Sequence, residues 1–480
     1  MAGFFKHLVV LMLVSTLLAI TGLGAPVYPL KPSANKRYLM DQNNTPFLVV
    51  GDSPHSLVAN LNTTDAATYL YNRATNGFNS LWVEVLCFPY AGGRANGSLL
   101  NGTLPFNNTL AGGYYDITTP NPSYFSQVDA IVSMADTNNL VLFLDPIETG
   151  GWLQTMTNNG SNSCWIYGQY LGNRYKNFTN IVWLSGNDYN VAYWSVPTND
   201  MCVKAVASGI KSMDTSLIHT IELGLGGSAY SIDDSLADAN WNPMISIDLI
   251  YSYSSTYWYQ LRGYNRTNYL PCVNGEQHYE SEDNGETGGD TEVGTPYVLR
   301  KQEYWVMLSG GCGQLCGNHY IWPFLAGWQN NLNTVGVQQL QYNTALFQSR
   351  AWYNLVPDQN HSLVTAGYGT FATNGLISTN QYATAAMTPD GTLAIVYVPT
   401  NFTITVAMSN MAASATAQWY DPTSGTYSTV AGSPFANTGS QNFTTPGNNS
   451  TGAGDWALVM QAQLTNSVPG APTDLRVLPP

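Results

Sequence analysis

Eight short apolar runs, separated by stretches of helical spacing, constrain this chain more than any other feature. The runs are Phe47–Val50, Ser80–Phe88, Leu140–Leu144, Ile181–Leu184, Leu217–Leu223, Ile245–Tyr251, Pro271–Tyr279 and Gly310–Trp322. Thr64–Arg73, Tyr124–Thr137, Ile166–Tyr175, Met201–Met213, Tyr257–Tyr264 and Tyr297–Leu308 read as the intervening helices, and Ser231–Asp238 begins an irregular stretch. A bulky, β-branched run bounded by turn residues is a buried strand. Strands that alternate with helices pair in parallel, because each return crosses over the sheet. Eight such units over about 300 residues predict an α/β fold, a closed (β/α)8 TIM barrel. An open doubly wound sheet would usually place a glycine-rich phosphate loop after its first strand, and Gly51-Asp52-Ser53-Pro54-His55 is not one.

From about Thr365 the period shortens. Leu393–Tyr397, Thr403–Ala407, Ala415–Tyr420 and Trp456–Gln461 are strands between turn residues, which predicts a small all-β sandwich. The expected division is a leader over 1–24, a catalytic barrel over 25–364 and the sandwich over 365–462. Residues 463–480 are a Pro-rich linker or the start of a truncated fibronectin III-like module. Lys6, the apolar run Leu8–Ile20 and small residues at Gly22–Ala25 have the form of a secretory signal peptide, with an uncleaved anchor as the competing possibility. An extracellular protein is therefore expected, with no membrane contact once the leader is removed. The N-x-[ST] sites at Asn62, Asn96, Asn101, Asn177, Asn265, Asn401 and Asn442 agree with export. So do six cysteines available for disulfides: Cys312 and Cys316 could clip a loop, and Cys164 could reach Cys202. Cys87 and Cys272 read as buried thiols. Only 10% of residues are charged and the net charge is −14, which disfavours nucleic acid as a partner. The oligomeric state is left open.

The chemistry is expected where strands end. The fourth run stops at Ser185-Gly186 and delivers Asn187-Asp188; the seventh ends at Glu276–Glu280. Strands four and seven lie on roughly opposite arcs of a barrel mouth, so their carboxylates can face one another. Glycoside hydrolysis needs such a pair, one group to protonate the leaving oxygen and one to attack the anomeric carbon or activate water. Asp188 could instead cap the next helix. Glu276 is preferred over Glu280 because it lies nearer the apolar run; Glu280 could instead pair with Arg300. Asn187, Asp52, His55, Glu84, Asp145, His278, Tyr279 and Trp322 are further candidates for substrate contact. Each, like Glu222, has a structural alternative. No cofactor is expected. A metal set of Asp188, Glu276, His278 and Glu280 is chemically conceivable but lacks a second His. No G-x-S-x-G motif suggests a serine hydrolase.

FLVVGDSPHSL, GFNSLWVEV, NIVWLSGND, PCVNGEQHYE, RKQEYWVMLSG and GNHYIW occur in one order. Together they resemble the apiosidase-like glycoside hydrolases, (β/α)8 enzymes. WYDPTSGTY and GDWALVM resemble the small sandwich that follows that barrel, often labelled collagen-binding. The resemblance implies a retaining mechanism acting on an oligo- or polysaccharide of plant or microbial origin, with Asp188 as acid/base and Glu276 as nucleophile. His55 stands where the family usually has Trp, GND where GGD is usual, and Gln277 where Pro is common. The sugar and linkage stay open. A non-catalytic glycan- or matrix-binding protein on the same barrel is the alternative. The sandwich is expected to support the barrel rather than bind collagen, since its strands expose few charges.

Overall fold

A computed structural model describes residues 25–224, 234–285 and 291–464. The expected leader, nearly all of the Pro-rich tail and residues 231–233 lie outside the described residues. Eight parallel strands form the central sheet: β1 (Val49–Asp52), β2 (Ser80–Glu84), β3 (Val141–Asp145), β4 (Ile181–Ser185), β5 (His219–Ile221), β6 (Asp248–Tyr251), β7 (Cys272–Glu276) and β8 (Gly311–Cys316). Their order is β5-β4-β3-β2-β1-β8-β7-β6. The first barrel strand lies two residues beyond the predicted run, because Pro46–Phe47 belongs to a small sheet with Lys31–Pro32 and Leu39–Met40.

The eighth seam, between β5 and β6, is closed by other means. Ser246 N–H donates to His219 O at 2.8 Å, and Thr220 Oγ1 donates to Ile247 O at 3.0 Å. Ser235 inserts between the strands: its hydroxyl donates to Ile221 O and accepts from Leu249 N–H at 2.8 Å. One side chain thus replaces ladder bonds that two short, splayed strands cannot make.

Helices α1 (Thr63–Thr75), α2 (Pro122–Thr137), α3 (Thr149–Tyr175), α4 (Pro197–Met213), α5 (Thr256–Tyr264), α6 (Pro296–Leu308) and α7 (Val335–Gln348) surround the sheet. Their starts are written in the sequence. Asn62, Asn121 and Thr295 cap α1, α2 and α6, and Pro opens α2, α4 and α6. Helix α3 begins well before the predicted Ile166, with Glu148 as its cap and a break at Gly160 (φ 74°, ψ 166°). Its Gly- and Asn-rich first half has low helix propensity, which hid it. Helix α7 is amide-rich and was not anticipated.

Two antiparallel sheets follow. One has six strands, from Val356–Pro357 through Thr384–Met387, Leu393–Val398, Trp456–Ala462 and Ala415–Asp421 to Thr426–Thr429; the other has Val364–Ala366, Thr403–Ala407 and Ser440–Thr444. The larger sheet packs on α6, and one apolar cluster holds Tyr304, Trp305, Leu340, Ile395, Tyr397 and Val459 from both sides. Arg300 reaches across to Asp455 with two hydrogen bonds of 2.9 Å. Lys301 Nζ donates to the carbonyls of Ile377, Ser378 and Asn380 at 2.8–3.0 Å. Burial lowers the Lys301 pKa to about 8.

No cysteine is bonded to another in this structure. Cys312 and Cys316 both lie on β8, four residues apart along an extended strand. That is about 13 Å, beyond the reach of a disulfide, so the expected clip is not there. Cys87 and Cys272 are buried, as anticipated.

Candidate active site

The fourth strand ends in an unusual turn. Gly186, Asn187 and Asp188 all have left-handed φ, at 111°, 83° and 48°. Only Gly fits the first position, because a Cβ there would lie 2.3 Å from Glu222 O. Asn and Asp are the side chains that best tolerate the next two. The turn is held from both flanks. Thr149, at the start of α3, donates its N–H to Gly186 O at 2.9 Å and its hydroxyl to Asn187 O at 2.7 Å. Glu222 Oε2, just beyond β5, accepts the Asp188 N–H at 2.8 Å. Backbone strain maintained by several contacts is characteristic of functional sites. Asp188 does not cap the next helix; Asn190 does, accepting Ala192 N–H at 3.0 Å.

Asp188 and Glu276, at the ends of β4 and β7, line one pocket of about 330 Å³ with His55, Tyr90, Asn187, Tyr251, Tyr253, Tyr279, Glu282 and Trp322. Asp188 accepts the Tyr90 hydroxyl at 2.5 Å and the Tyr251 hydroxyl at 2.7 Å. Glu276 Oε1 accepts the Tyr253 hydroxyl. Burial, and then the nearby charge of Asp188, raise the Glu276 pKa to about 8, while the Tyr253 hydroxyl acts in the opposite direction. In the empty pocket a proton is therefore held on Glu276. His55 packs against Trp82 in a tilted arrangement with ring centroids 4.5 Å apart, and its Nε2 lies 3.3 Å from the Tyr279 hydroxyl. Burial lowers its pKa to about 3, so the ring is neutral. Trp322 is half-buried and donates to Glu282 at 2.8 Å, presenting its indole to the cavity.

Several sequence candidates lie elsewhere. Asp52 is buried beneath the mouth, 2.6 Å from Arg73 and 2.5 Å from the Tyr69 hydroxyl. Glu84 lies behind His55, 3.5 Å from its Nδ1, and receives the Cys87 thiol at 3.3 Å. Asp145 is fully buried and accepts Ile147 N–H at 3.0 Å. His278 turns away, with Nε2 against Tyr253 O at 2.8 Å. Glu280 accepts Thr334, Gly336 and Asn318 donors at 2.5–3.2 Å, so it anchors α7 and leaves Arg300 to Asp455. These five do not line the pocket, and the metal set containing His278 and Glu280 does not converge. Conversely, Tyr90, Tyr251, Tyr253 and Glu282 were missed. Tyr251 and Tyr253 had a signal: two residues apart at the end of an apolar run, they share a strand face. Tyr90 had none.

A parallel eight-stranded barrel with two carboxyl groups facing one pocket from β4 and β7 defines a glycoside hydrolase. Residues 33–354 match the family model described as "Apiosidase-like, catalytic domain", and the chain belongs to that family. Residues 372–461 match the model described as "Putative collagen-binding domain of a collagenase". Among solved structures, one described as "Glycoside hydrolase" is similar at 21% identity and a TM-score of 0.74, covering 90% of this chain and 97% of its own. A glycoside hydrolase family 5 protein from Bacteroides vulgatus is similar at 18% identity and a TM-score of 0.74, covering 90% and 93%. No curated protein matches the chain.

Proposed function

We propose that this glycoside hydrolase removes a neutral terminal sugar with retention of anomeric configuration, with Glu276 as nucleophile and Asp188 as acid/base. The observation that carries the proposal is the Asp188–Glu276 pair lining one pocket at the barrel mouth. At about 330 Å³ the pocket is at the small end for ligand sites, with room for about one or two sugar rings, which favours attack at a chain end. Among its described lining residues there is no Lys or Arg, and three are carboxylic acids. A uronate there would be buried without a counter-ion, at a cost of several kcal/mol (about 3–5), whereas a neutral sugar can be held by the tyrosines and Trp322.

The reaction needs one proton shared by the pair, on Asp188 at the moment of attack. Burial, and then the nearby charge of Asp188, raise the Glu276 pKa to about 8 and favour its protonated form. The reaction must reverse this: positive charge that develops at the anomeric carbon in the transition state favours ionised Glu276, with the proton on Asp188. The two groups titrate as a pair. Above about pH 8 the shared proton is lost and general-acid help goes with it, so kcat/KM should fall on that alkaline side.

Digestion of a glycan panel, with the product anomer followed by NMR, tests the proposal. Glu276→Gln should abolish turnover. Asp188→Asn should lose natural substrates but spare those with good leaving groups. Full activity of both variants on a confirmed substrate would remove the proposed pair, and an inverted product would remove the nucleophile role. We further propose secretion as a glycoprotein. All seven sequon asparagines named above are exposed, which supports it, and a mass loss on enzymatic deglycosylation of material secreted from a eukaryotic host tests it.

A further inference from the structure

The two helices that flank β4 run side by side in parallel and touch backbone to backbone. A Cβ on Gly168 of α3 would lie 2.1 Å from Val206 O of α4, and one on Gly172 would lie 2.6 Å from Ile210 O. Both contacts have the same residue offset. Carried one turn toward the helix N-termini, it sets Cys164 opposite Cys202. Both residues are buried, at 0% and 2% exposure. We propose that Cys164 and Cys202 form a disulfide tying α3 to α4. The bond is independent of the glycosidase assignment, and it brackets the strand that carries Asp188.

Two further observations support the pairing. The two thiols act on each other: the neighbouring Cys164 lowers the pKa of Cys202, and Cys202 raises that of Cys164. The glycines at the crossing let the two backbones touch, which brings positions 164 and 202 close together across the same interface. The chemistry needs an external disulfide, such as oxidised glutathione. The thiolate of either cysteine attacks one of its sulfurs, forming a mixed disulfide and releasing one glutathione thiolate. The other cysteine, after giving its proton to solvent, attacks the first cysteine's sulfur and releases the second. Two protein thiols are oxidised and one external disulfide is reduced. Because both sulfurs are buried in the folded chain, the exchange takes place before the helices finish docking.

The test uses the full chain secreted through an oxidising compartment. The chain is unfolded without reductant in excess maleimide, digested, and examined by mass spectrometry. The expected product is one peptide pair joining Cys164 to Cys202, two hydrogens lighter than the free peptides together and separated by reductant. Maleimide on both residues, or linkage of either to another cysteine, would overturn the proposal. As a second measurement, reductant should lower the Tm of the secreted chain by a few degrees and leave the Cys164→Ala/Cys202→Ala variant unmoved. An equal fall in both would count against the bond, and the peptide map stands even if the variant does not fold.

Discussion

Asp188 owes its position to a residue that never touches the pocket. Glu222 is fully buried, and burial followed by the charges of Glu276 and Asp188 pushes its pKa well up. A protonated Glu222 still offers an acceptor to the Asp188 N–H, so Gln is a near-isostere. Glu222→Gln should stay within about tenfold of the parent in kcat. Glu222→Ala leaves a buried N–H unpaired at the strained turn and should cost about 1.5–3 kcal/mol, or roughly 10–100-fold in kcat, with KM little changed. Steady-state kinetics on one substrate separates the two; an Ala variant equal to the Gln variant would remove the positioning role. That Asp188 and Glu276 share a pocket was legible in the sequence, because both follow apolar strand runs on opposite arcs of the barrel mouth. The tyrosines were harder. Tyr90 reaches Asp188 from a single 3-10 turn, Pro89–Ala91, in the connection that follows β2. No period in the sequence encodes such an approach. Asp52, Glu84 and Asp145 fail the same test in reverse: strand-end acids can equally turn inward, and neither sequence position nor residue type says which.

At the scale of elements, the barrel's weakest seam is also its most irregular. Among the described residues, Ser235 is the side chain that bonds both Ile221 O and Leu249 N–H across the gap between β5 and β6. Ser235→Ala removes both bonds and leaves a buried donor and acceptor unpaired. A loss of about 1–3 kcal/mol is expected, seen as a lower denaturant midpoint with an unchanged slope. A midpoint equal to the parent's would mean that water or a backbone shift closes the seam. The eight strands could be read from the sequence because each is buried on both faces and hence continuously apolar. The seam could not, because Ser235 sits in a stretch without periodicity. Helix α3 was half-read for a related reason: tertiary contacts, not propensity, hold its Gly- and Asn-rich first turns.

In the whole molecule, helix α6 belongs to barrel and sandwich alike. Eleven of its residues, Val298 through Leu308, are buried, including Arg300, Lys301 and Glu303. A chain ending at residue 364 would expose that face, take the Asp455 carboxylate from Arg300 and take the carbonyls of Ile377, Ser378 and Asn380 from Lys301. It should aggregate or unfold, whereas the full chain should melt in one transition by calorimetry. Asp455→Asn keeps the size of the acceptor but leaves the Arg300 charge uncompensated, and should lower the Tm without moving KM. A truncated barrel that is soluble and active would contradict the supporting role of the sandwich. The two segments recognised by separate family models are thus not separable by inheritance. A recombination that traded one sandwich for another would have to bring its own answer to Arg300 and Lys301, so exchange at this joint is penalised and the two halves are expected to descend together.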